Sequence, residues 1–156
     1  MVKPVLQAMV LADHVYQDRR SGKHVIAGTF TKIVIVPSQD AEIVEENGEQ
    51  KQRLSGPVSR MGSPYLYLSL TGLRNEQAFL LQLVDLTEAK VLMEMNFKMK
   101  CSDPVQNAEA IIDMPLLPIP RKDGNYSIDL IWNGEQIGSW RITAELMSPR
   151  EGSEQK

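Results

Sequence analysis

Hydrophobic and polar residues alternate along most of this chain, most clearly between Val91 and Cys101. There Val91, Met93, Met95, Phe97, Met99 and Cys101 take every second position, with Leu92, Glu94, Asn96, Lys98 and Lys100 between them. Successive side chains of a strand point to opposite faces, so this spacing predicts a strand with one apolar and one mostly polar face. A helix would scatter the same residues around its circumference. Leu66, Leu68 and Leu70 alternate with Tyr65, Tyr67 and Ser69 in the same way, and Tyr126, Ile128, Leu130 and Trp132 alternate with Ser127 and Asp129. Less regular patterning places further strands near residues 4–16, 24–36, 77–86, 108–114 and 136–146, eight in all.

Turn chemistry separates these segments. Arg20-Ser21-Gly22-Lys23 closes a first hairpin, Thr87-Glu88-Ala89 a middle one and Asn133-Gly134 the last, since Asn-Gly supplies the two positive φ angles of a type I′ turn. A two-residue turn there pairs Trp132 with Glu135 and Leu130 with Ile137. Trp140, Ile142, Ala144 and Leu146 then need one extra residue to regain the core face, which predicts a β-bulge at Gly138-Ser139 with Gly138 in an unusual dihedral. Gly28, alone in a strand, predicts a close backbone approach.

Eight short strands with Gly and Pro turns predict an all-β fold, an antiparallel two-sheet β-sandwich of Ig-like or C2-like kind, with a barrel as the alternative. The organisation expected is a single domain over 1–147, with a long polar loop at 37–63 that could hold a short edge hairpin, a strand-free crossover at 115–123 and a disordered tail at 148–156. If each strand simply crosses the sandwich, the loops near Asp18, Arg74, Asp103 and Asn133 gather at one end. The 37–63 loop, Thr87-Glu88 and Arg121-Lys122-Asp123 gather at the other.

Composition narrows the function. Seventeen basic and twenty acidic residues give a formal charge of -3, without the basic excess of a nucleic-acid binder. No stretch reaches the apolar length of a membrane span, and the N-terminal residues do not read as a secretory signal, so a cytoplasmic location is expected. The single cysteine excludes an intramolecular disulfide. No phosphate-cradling glycine loop, zinc-protease helix or nucleophile elbow is present, and no cofactor is expected.

The candidate chemistry is correspondingly sparse. Tyr65 and Tyr67 face away from the leucines of their strand and could form a stacking platform or an interface anchor, unless the 37–63 loop covers them. His14, His24, Cys101 and Asp103 fall near one end under the simple crossing scheme. A thiol, an imidazole and a carboxylate are the components of a nucleophilic cysteine site or a metal site. The competing reading is hairpin histidines and a buried thiol, because Cys101 has the core-facing register. Asp18, Glu76, Asp103 and Glu135 would suit calcium, but Arg19, Arg20, Lys23 and Arg74 share their end and oppose a cation. Met93, Met95 and Met99 at strand spacing read as core filler before they read as an adaptable surface, and Trp132 and Trp140 as core aromatics. The Asn125-Tyr126-Ser127 triplet matches a glycosylation sequon without an export signal to go with it.

Leu11-Ala12-Asp13, Ser21-Gly22-Lys23 and Ile26-Ala27-Gly28-Thr29-Phe30 together resemble a small bacterial family known only as a domain of unknown function. The resemblance covers about a quarter of the chain and implies a cytoplasmic β-sandwich with no assigned activity. Leu83-Val84-Asp85-Leu86 and Gly124-Asn125-Tyr126 are similar in pattern alone. The expected function is a non-enzymatic binding or assembly module whose partner is another protein chain or a second copy. The alternatives are a small-molecule or carbohydrate binder at the tyrosines, or a cysteine- or metal-dependent hydrolase.

Overall fold

In the computed structural model the alternating segments are strands: β1 (Val5–Gln17), β2 (His24–Thr29), β3 (Lys32–Ile35), β4 (Ala41–Glu46), β5 (Glu49–Leu54), β6 (Tyr65–Thr71), β7 (Asn75–Asp85), β8 (Lys90–Cys101), β9 (Ala108–Asp113), β10 (Gly124–Trp132) and β11 (Glu135–Leu146). The structure describes residues 2–35, 41–46, 49–54, 64–114, 117–120 and 122–147. The expected tail at 148–156 lies outside them.

Nine strands form two sheets. The four-stranded sheet has the order β2-β1-β6-β9 and is antiparallel throughout. The five-stranded sheet has the order β3-β11-β10-β7-β8 and is mixed, because β3 runs parallel to β11. Their inner faces meet in one core. Met9, Leu11, Leu66, Leu68 and Leu70 come from one side, and Phe79, Leu81, Leu83, Tyr126, Ile128, Leu130 and Ile142 from the other. Two separate layers rule out the barrel, and the all-β sandwich stands. Within the polar 37–63 connection β4 and β5 pair with each other antiparallel and, among the described residues, with neither sheet, so this ribbon is not an edge of the sandwich.

The strand expected over 24–36 is two strands in different layers. β2 pairs with β1; after Phe30 and Thr31 the chain changes sheets and β3 pairs with β11. Trp140 Nε1 donates to the Phe30 carbonyl at 3.0 Å, and Thr143 N donates to the Thr31 carbonyl at 2.8 Å, which fixes the crossing. This added crossing reverses β6 relative to the expected scheme: Val5 at the start of β1 pairs with Thr71 at the end of β6. The turn at 72–74 therefore lies beside the 102–107 loop, where Gly72 N donates to the Pro104 carbonyl at 2.9 Å, and Lys3 reaches Glu135 nearby. Arg74, Asp103 and Asn133 therefore gather at one end as expected, although by a different crossing scheme.

The β10–β11 hairpin turns at Asn133 and Gly134, both with positive φ, and pairs Trp132 with Glu135. The bulge falls one residue before its expected place. Leu130 pairs with Gly138 and Ile131 with Gln136, so Ile137 is the extra residue, and Gly138 has no positive φ. A Cβ at 138 would meet the tip of the Leu6 side chain from the facing sheet, so the glycine leaves room for that tip. Ile142 and Ala144 return to the core, Trp140 is half-buried and Leu146 is exposed. In β8 the strict alternation holds from Met93 to Cys101. Leu92 is an extra residue between the Leu83–Met93 and Val84–Val91 pairs, which leaves Val91 exposed.

Candidate functional site

The two sequence-predicted tyrosines lie on the outer face of the four-stranded sheet, opposite Val10 and Ala12 of β1. This face is closed by the β1–β2 hairpin. Along the ladder His24 pairs with Gln17, while Glu109 of β9 pairs with Ser69, which pairs with Ala8. In an unbent sheet the nine residues from Ala8 to Gln17 would hold His24 and Glu109 about 30 Å apart. Instead His24 Nδ1 lies 3.1 Å from Glu109 Oε2. The hairpin therefore folds back over its own sheet.

The bend is at Asp13 and Gly28, the one place where the β1–β2 ladder skips a pair. Asp13 continues the register of Met9 and Leu11 yet is exposed. Gly28 has a φ of +73°, and a Cβ there would meet Asp13 Oδ2 at 2.7 Å. Only glycine takes this backbone conformation readily and leaves that room. Beyond the bend, Val15 and Ile26 come down onto Ala8, Ala12, Tyr65 and Tyr67, forming a second small apolar cluster outside the main core.

A polar network closes the far side of this cluster. Tyr67 donates its hydroxyl proton to Glu109, and the His24 ring lies 5.3 Å from the Tyr67 ring at a 51° tilt. His24 Nδ1 is within ion-pair distance of the same carboxylate but out of line for a hydrogen bond. Burial pushes the Tyr67 hydroxyl up to about 12, and the hydrogen bond and negative charge of Glu109 act in the same direction. Tyr67 is 8% exposed, so neither face of its ring is open for a sugar to stack on. Tyr65 is half-buried in the same cluster. Glu109 has no spacing signal that would single it out in the sequence.

The histidine–cysteine group is not assembled. His14 is exposed on β1 opposite Ala27, and His24 is held at Tyr67 and Glu109. Cys101 ends β8 in the other sheet, half-buried against the main core, and its thiol donates to the Asp103 carbonyl at 3.0 Å. The Asp103 carboxylate accepts from Val105 N at 2.9 Å as a turn cap. Asp18 caps its own turn, accepting from Ser21 Oγ at 2.6 Å and from the Arg20 and Ser21 amides, and these bonds hold its carboxyl below the usual range. Glu76 is paired with Lys98, and Glu135 with Lys3. Among the described residues no three His, Cys, Asp or Glu side chains converge as a metal site.

The second apolar surface is at an edge. β8 pairs with β7 on one side, and among the described residues its other side carries no strand. Met93, Met95 and Phe97 face inward but are only half-buried against the core. Phe97 stacks on Phe79 at 5.4 Å, which anchors it from within. The opposite face of β8 carries Glu94, bonded by Gln82 Nε2 at 2.7 Å, and Lys98, paired with Glu76 at 2.8 Å.

Two open clefts flank the N-terminal segment. One of about 450 Å³ is lined by Val2, Arg74, Asn75, Glu76 and Gln77; the other, of about 340 Å³, runs along Lys3 to Leu6 and Gln136-Ile137. Neither touches Tyr65 or Tyr67. No family model matches the chain, and no curated protein matches it. Among the described residues no helix is long and apolar enough to cross a membrane.

Proposed function

We propose that this chain is a non-enzymatic binding or assembly module of a bacterial cytoplasm, engaging another protein chain through the free edge of β8. The observation that carries this reading is a twelve-residue edge strand whose inward residues Met93, Met95 and Phe97 stay half-covered. An edge presents a row of backbone donors and acceptors, and a strand added to it gains main-chain hydrogen bonds while its side chains fill the neighbouring pockets. The reading of the tyrosines as a carbohydrate platform loses support, since the folded hairpin occupies that face and engages the Tyr67 hydroxyl. The separation of Cys101 from both histidines weakens the hydrolase reading in the same way.

A photo-reactive side chain placed at Asn96 in cells tests the proposal, with Arg20 in the β1–β2 turn as the control position. The expected result is a covalent adduct with a protein chain at 96 and none at 20. Equal labelling at both positions, or no adduct at 96, would overturn it.

A further inference from the structure

We infer that the chain which β8 accepts is the β8 of a second copy, paired antiparallel about a two-fold axis at Asn96. This inference rests on the edge reading above and names its partner. The support is a self-complementary charge pattern. An antiparallel pair centred on Asn96 sets residue 94 opposite residue 98 of the other copy, so Glu94 meets Lys98 twice, once on each side of the axis. Both side chains are on the outer face, where within one chain Glu94 bonds Gln82 and Lys98 pairs with Glu76 of β7, so the pairs across the axis form alongside or in exchange for these contacts.

The inner face matches as well. The same register places Met95 opposite Phe97 and Met93 opposite Met99 of the second copy, covering residues that one chain leaves half-buried. Methionine sulfur against an aromatic ring is a favourable contact. Lysines on an edge strand usually guard it against added strands. Here the axis at Asn96 sets Lys98 against Glu94 and leaves Lys100 opposite the apolar Leu92. The two five-stranded sheets then continue into one another through β8.

Sedimentation of the purified full chain over a concentration series provides the test. A reversible monomer–dimer equilibrium is expected. Glu94→Lys and Lys98→Glu, both at exposed positions, should each raise the dissociation constant by about tenfold, the effect of two like-charge pairs at a rim. An equimolar mixture of the two variants restores both charge pairs and should associate about as tightly as the unsubstituted chain. Asn96→Cys in a Cys101→Ser background should form an interchain disulfide under mild oxidation, because the axis brings the two copies of residue 96 face to face, and Lys90→Cys should not. A strict monomer at the highest concentration overturns the inference, as does a dimer indifferent to both charge reversals. A monomer whose Asn96 photo-probe captures a different protein removes self-pairing and leaves the edge reading standing; failure of both probes removes the two together.

Discussion

The outer face of the four-stranded sheet and the free edge of the five-stranded sheet pose the same problem, apolar side chains with no partner in their own layer. The chain solves one of them internally. At the bend of Asp13 and Gly28 the β1–β2 hairpin folds over and buries Tyr67 to 8% exposure under Val15 and Ile26. At β8 nothing in the described chain performs that service, and Met93, Met95 and Phe97 remain half-covered. A surface that the sequence takes trouble to close is structural. One that it leaves open, with complementary charges on the other face, is available for association.

Truncating the aromatic at each place gives the largest expected contrast. Tyr67→Ala removes a ring enclosed on all sides together with the hydroxyl that binds Glu109, and should cost about 3 to 4 kcal/mol in denaturant unfolding of the monomer. Phe97→Ala removes a ring packed on one side by Phe79, and should cost about 2 kcal/mol under the same conditions. Equal losses at the two sites would mean that the β8 edge is as well covered as the tyrosine face.

Gly28→Ala probes the bend that separates the two regions. An alanine there must adopt a left-handed φ and displace the Asp13 carboxylate, which should cost about 2 kcal/mol. Hydrogen exchange should locate the damage. Amides of Val15 to Ile26 lose protection first, while those of β7 and β8 keep theirs. Uniform loss across both sheets would show that the hairpin is an integral layer of the fold and not a cover laid on one.

The contrast also explains which features could be read in the sequence. Strands were legible wherever burial follows the two-residue period, as in Leu66-Leu68-Leu70 and Met93 to Cys101, and Asn133-Gly134 marked its turn because few residue pairs accept two positive φ angles. The change of sheet at Phe30-Thr31 was not legible, since Ile33 and Ile35 continue the same alternation in whichever sheet they join. Strand order is likewise non-local, so no spacing within β8 could place it at an edge. The fold-back left two traces, a lone glycine at 28 and an aspartate at 13 in an apolar register. Sequence alone could not connect them to Tyr67, because the contact joins residues that the flat ladder holds far apart. Glu109, which ties the network together, looks like any exposed carboxylate on a short strand.

Tyr67→Phe isolates the polar clasp from the packing, and its effect is the smallest of the series. The ring stays and only the hydroxyl donated to the Glu109 carboxylate is lost, which should cost about 1 to 2 kcal/mol near neutral pH. The pH dependence has a definite sign. Burial and Glu109 raise the folded hydroxyl from its ordinary 10.0 to about 12, so the folded state holds this proton more tightly than the unfolded chain does. The resulting contribution is complete below pH 10 and declines as the pH rises through 12. Urea melts of both proteins from pH 8 upward should therefore show a stability difference that is flat to about pH 10 and then shrinks. The other tyrosines titrate in both proteins, so their contributions cancel in the difference. A gap that stays constant to pH 12 would mean that Tyr67 ionises alike in the folded and unfolded states, and that the hairpin is held by Val15 and Ile26 without help from the clasp.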